Sequence, residues 1–134
     1  MTGPAGRKED EFHPQYVIRA GTSKPGSLQG NTKNLSPIGM PNEYGMSSST
    51  APPPMKPEDI LAIPKYTTYG QYSWTILPEL DALGYRLEPS PTRSNPLHSS
   101  ILLPPGQTEL TDAQAQALSA IFRRRPNPYY IPGR

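Results

Sequence analysis

Apolar residues fall in short, widely separated groups along this chain, and only three of the groups carry helical spacing. The strongest covers residues 111–125. Ala115, Leu118, Ile121 and Phe122 fall on one face, Thr111 and Gln114 form a capping box, and Leu110 is placed to staple against Ala115. Asp112 suits the positive end of such a helix, and Arg123, Arg124 and Arg125 suit its negative end before Pro126 stops it.

A second group predicts a helix over 75–84, with Thr75 as cap, Pro78 in the first turn, and Ile76, Leu80 and Leu83 spaced i, i+4, i+7. Gly84 is placed to end it in a left-handed conformation, with Tyr85 folding back on the last turn. A third predicts two helical turns over 57–63, opened by Pro57, Glu58 and Asp59, made sticky by Ile60, Leu61 and Ile63, and stopped by Pro64. Helices this short do not stand alone in water.

Elsewhere the pattern is polar and broken. The first 55 residues contain SLQGNTKN, MSSSTAPPP and seven glycines, and their only strand-like piece is Tyr16-Val17-Ile18, expected to add to another protein's sheet edge. Pro52, Pro53 and Pro54 suggest a stiff polyproline II step. Tyr66, Tyr69 and Tyr72 recur every three residues, which aligns them along one side of an extended path.

Composition sharpens this reading. There are 19 prolines and 11 glycines in 134 residues, and Leu, Ile, Val and Phe together number 23, about 17%, below the level at which a core is readily built. The expected fold is therefore mostly irregular, extended and non-globular, with the three short helices and no self-sufficient sheet. Its organisation is an extended arm over 1–55 and a partner-dependent region over 56–134, and the isolated chain is expected to be largely disordered.

Eight tyrosines against two phenylalanines favour half-wet contacts over a dry core. The residues expected to meet partners are Tyr16, Ile60, Tyr66, Tyr69, Tyr72, Trp74, Leu80, Leu83, Leu118, Ile121, Phe122, Arg123, Arg124, Arg125, Tyr129 and Tyr130. The expected partners are several protein subunits of a large assembly, with an acidic surface for the arginines to meet. The second choice is nucleic acid, with Arg123 to Arg125 on phosphate and Tyr129 and Tyr130 stacking on bases.

Candidate chemistry is sparse. Cysteine is absent, and His13 and His98 lack a fixed ligand spacing with Glu9, Asp10 or Glu11. The glycines do not form a phosphate loop, and the serine runs lack a nucleophile elbow. No catalytic site, metal or cofactor is expected. The start of the chain lacks an apolar signal run, and no apolar run is long enough to span a membrane.

The expectation that follows is a noncatalytic structural component threading along and bridging subunits, cytoplasmic and cytoskeletal, on a ciliary microtubule lattice. The alternatives are a viral capsid cement protein in the virion and a peripheral ribosomal or other RNA-binding protein.

Overall fold

A computed structural model describes residues 15–133 of the chain. Seven strands form one sheet: β1 (Tyr16–Ala20), β2 (Lys33–Asn34), β3 (Tyr44–Ala51), β4 (Gln71–Ile76), β5 (Arg86–Pro89), β6 (His98–Leu102) and β7 (Arg123–Pro126). Its order is β5-β6-β3-β1-β4-β7, with β2 pairing to β3, and every pairing is antiparallel. The helices are α1 (Pro25–Asn31), α2 (Pro64–Thr67), α3 (Leu77–Ala82) and α4 (Asp112–Ala120), with 3-10 turns at Ser36–Ile38 and Pro57–Ile60.

This architecture overturns the irregular, extended fold, and with it the expectation of a largely disordered free chain. The strand-like Tyr16-Val17-Ile18 does not wait for a partner's edge: β1 pairs with β3 on one side and β4 on the other. A small globular domain does not thread along a filament, so the function as a bridging thread on a microtubule lattice is withdrawn. Capsid cement and ribosomal tail fall with it, since they rested on the same extended chain.

Two cores explain how so few aliphatic residues suffice. On one face of the sheet, Val17, Met46 and Ile101 pack against Leu28 of α1, Leu80 of α3, and Ala115 and Leu118 of α4. On the other, Ile18, Ala51 and Tyr72 pack under Ile60, Leu61 and Tyr66. Much of the remaining interior is hydroxyl. Ser48 and Ser99 lie 2.7 Å apart across the β3–β6 ladder, Thr50 Oγ1 donates to Ser99 Oγ (2.7 Å), and Tyr66 Oη donates to Ser49 Oγ (2.8 Å). Buried hydroxyls cost little when they satisfy one another, so a serine run that resembles a linker serves as a central strand.

The local signals performed unevenly. The Thr111–Gln114 capping box forms, Leu110 and Ala115 share the core, and Gly84 adopts φ +92° with the Tyr85 amide donating back to the Leu80 carbonyl. The helix, however, ends at Ala120, and Arg123 to Arg125 form β7 instead of its last turn. Trp74, Thr75 and Ile76 belong to β4, so the second helix starts only at Leu77. Pro64 opens α2 instead of stopping a helix, because its ring suits a first helical position as well as a boundary. Residues 52–55 make a turn, with the Met55 amide donating to the Pro52 carbonyl, in place of a polyproline step.

Gly45 is the most tightly enclosed of the described glycines, since a Cβ built there would run into the Ile101 carbonyl oxygen. Gly45→Ala is expected to destabilise the domain by at least about 3 kcal/mol, the upper range for overpacking, and Leu118→Ala by about 2–5 kcal/mol through its cavity. Urea unfolding of both variants checks this.

Candidate functional site

The site arises from a gap in strand pairing. One edge of β3 carries β1 only as far as Ile18↔Ser49 and β2 only at Gly45 and Tyr44, while β6 runs along the opposite edge from Gly45 to Ser49. Residues 46–48 on the first edge therefore face no strand among the described residues. Arg19 fills the gap: its Nη1 donates to the Ser47 carbonyl (2.6 Å), Nη2 to Asn31 Oδ1 (2.6 Å) and Nε to Ser23 Oγ (3.2 Å).

Arg19 is only 5% exposed, yet no described carboxylate pairs with it. The salt bridges among the described residues lie elsewhere, Glu43 with Arg86 and Glu79 with Arg123. Burial pushes the Arg19 guanidinium down to about 10, partly offset by Tyr66 and Tyr69, so it remains cationic at neutral pH. Its placement carries a backbone cost as well. Ser23, hydrogen-bonded to both Arg19 and Ser73, holds φ +50°, a left-handed conformation unusual for a residue with a side chain.

A cavity of about 350 Å³ opens over this arginine, lined by Arg19, Asn31, Lys33, Ser47, Lys65 and Tyr69 together with Ala20 and Gly30. Three cations thus converge on a cavity with no acid among the described residues that line it. Lys33 Nζ donates to Ser47 Oγ at 3.4 Å. Lys65 is exposed as a whole, but desolvation of its ammonium, followed by repulsion from Arg19 and Lys33, holds it below the ordinary lysine range.

The same lysines extend the polar surface toward β6. An adjoining cavity of about 390 Å³ shares Lys33, Ser47 and Lys65 and reaches Asn95 and His98. His98 Nδ1 lies 2.9 Å from the Ser90 hydroxyl and 3.0 Å from the Ser90 carbonyl oxygen. Burial, then Lys65 and Lys33, hold His98 below its usual range.

Most of the residues expected to meet partners are instead engaged within the domain. Ile60, Tyr66, Tyr72, Leu80, Leu118 and Phe122 are buried in its two cores, and Ile121 is half-buried against one of them. Tyr16 packs edge-on to Trp74, with ring centroids 5.3 Å apart. Arg123 lies over Trp74 at 4.8 Å and chelates Glu79, and Arg124 donates to the Thr22 carbonyl and to Ser119 Oγ, so these two guanidinium groups staple the chain to itself. The strand alternation of β7 sends Arg125 to the same side as Arg123 and away from Arg124. Leu83, Tyr69, Tyr129 and Tyr130 remain exposed, and of these Tyr69 lines the cationic cavity.

The spacing of neighbouring residues does not single out Arg19, Lys33, Lys65, Asn31 or Ser47. One signal was present: in a strand where Val17 points into the core, Arg19 two residues on points the same way. A cation at an inward strand position calls for a reason.

No cluster of three or more His, Asp or Glu side chains able to hold a metal occurs among the described residues, and His13 with Glu9 to Glu11 lies outside them. No helix among the described residues is long and apolar enough to cross a membrane. No protein-family model matches the chain, and comparison with curated proteins and with solved structures gives no match.

The His98 environment sets a pH dependence. Its folded value is depressed, so below about 6.5 the unfolded chain binds the extra proton more readily. This contribution to stability is fully present above that value and is lost as pH falls from it through the lower folded value. In phosphate-free buffer, the melting temperature is expected to drop between pH 7.5 and 5, and to drop less in His98→Asn.

Proposed function

We propose that this protein binds a phosphate-type anion in the cavity formed by Arg19, Lys33 and Lys65. The observation that carries the reading is the Arg19 guanidinium, buried beside two lysines and without a described carboxylate partner. A buried charge lacking its counter-charge is costly, and a multivalent oxyanion supplies that counter-charge while relieving repulsion among the three cations. Phosphate suits the donors that remain: Nε and one N–H of each Nη of Arg19 are spent within the domain, the second N–H of each Nη is left for an oxygen, and the lysine ammonium groups close on the others as point charges.

The supporting frame is rigid. Arg19 stands on the central strand of the sheet, Asn31 is the last residue of α1, and Ser23 is fixed to Ser73 at 2.6 Å. A site so held loses little entropy on binding.

Inorganic phosphate is expected to raise the melting temperature where sodium chloride at the same ionic strength does not. At 100 times its dissociation constant the stabilisation is about 2.7 kcal/mol, roughly 10 °C for a domain of this size. Arg19→Met is expected to abolish the shift. Lys65→Met, at an exposed position, is expected to weaken phosphate binding about 10-fold with the fold intact. Equal effects of phosphate and chloride on the unaltered protein count against the reading.

A further inference from the structure

We propose that the anion is the phosphate of a nucleoside monophosphate, whose base lies on the ring of Tyr69; this rests on the anion-binding reading above. Tyr69 lines the same cavity as Arg19 and Lys65 and is 45% exposed. Other exposed apolar side chains lie next to its turn, outside the cavity lining. Of the six large apolar residues exposed among those described, four are Tyr69, Tyr129, Tyr130 and Ile131. The Tyr130 ring stands 3.8 Å from the Cβ position of Gly70, next to Tyr69, and the Ile131 amide donates to the Thr67 carbonyl of the same turn. A cationic floor with an aromatic side chain at its rim matches a ligand that carries an anion at one end and a planar ring at the other.

Tyr69 is held in place for this role. Its amide donates to the Tyr66 carbonyl (3.1 Å), and its carbonyl accepts from Nδ2 of Asn127, a buried side chain that also donates to the Tyr66 carbonyl. Its Cδ2 stands 3.9 Å from the Cβ position of Gly21, whose φ of +79° keeps that position free of a side chain. One edge of the ring thus passes bare backbone at Gly21, and the residue keeps 45% of its surface exposed. A ring carried on a fixed stretch of backbone at the cavity offers a surface on which a base can stack.

The deep end and the rim make different demands. Inorganic phosphate satisfies only Arg19 and the lysines. A sugar phosphate adds hydroxyls that Ser47 and Asn31 can meet, yet leaves Tyr69 unused. A nucleotide engages both ends, and stacking of this kind is sequence-tolerant because every base offers a π-face.

Calorimetric titration of the full chain with inorganic phosphate, ribose 5-phosphate, AMP and UMP tests the proposal. AMP and UMP are expected to bind roughly 5- to 100-fold more tightly than ribose 5-phosphate, the worth of one stacked base. Tyr69→Ala is expected to bring both down to the ribose 5-phosphate level, and Tyr69→Phe to retain the preference. Equal affinity for AMP and ribose 5-phosphate, or a preference that survives Tyr69→Ala, overturns the base platform and leaves the anion site standing. Absence of binding by all four ligands overturns the anion site itself, and this inference with it.

Discussion

β3 has more backbone to satisfy on one edge than β1 and β2 together supply. β6 matches the opposite edge residue for residue from Gly45 to Ser49, but β1 departs beyond Ser49 and β2 arrives only at Gly45. A carbonyl left in that interval needs a donor, and the donor is a side chain, the Arg19 guanidinium on Ser47. The same group ties the end of α1 through Asn31 and the β1–α1 turn through Ser23. The gap thereby sets the path of the chain between β1 and β2, and it opens the cavity in which the cations gather.

The second constraint is the shortage of aliphatic side chains, met by two devices. One is tyrosine used as core: Tyr66 and Tyr72 are almost fully buried, each with its hydroxyl spent on a partner, Ser49 in one case and Glu58 in the other. The other is cross-strand pairing of serines between β3 and β6, which packs the ladder closely and satisfies each hydroxyl locally. Gly45 belongs to the same economy, since only a residue without a Cβ lets β3 approach the Ile101 carbonyl. An interior built this way leaves few charges inside, which makes the buried Arg19 stand apart from everything around it.

Of the candidate site, only Tyr69 was legible beforehand, and for a different role. Tyrosines 66, 69 and 72 have the same spacing on paper, yet a helical turn, an exposed loop and a strand separate their fates: two enter the core and one stays at the cavity mouth. The arginine triplet attracted notice through local charge density. That property says nothing of whether a guanidinium already has a partner, and Arg123 finds one in Glu79, 44 residues away. Arg19 carried the opposite character, a single cation in an apolar strand whose significance depends on residues 12 and 28 positions along the chain.

What the sequence determined by itself is a few contacts settled within about one helical turn. The capping box of α4, the left-handed stop at Gly84 and Pro78 in the first turn of α3 are contacts between near neighbours, and they form as their residues dictate. Only the tertiary structure decided that SSST is a central strand, that Tyr16 to Ala20 finds both its neighbours within the same chain, and that Arg19, Lys33 and Lys65 meet over one cavity. The reason is physical. Strand pairing and desolvation depend on which distant segment supplies the other half of each hydrogen bond and the other wall of each cavity, and neither is written in the spacing of adjacent residues.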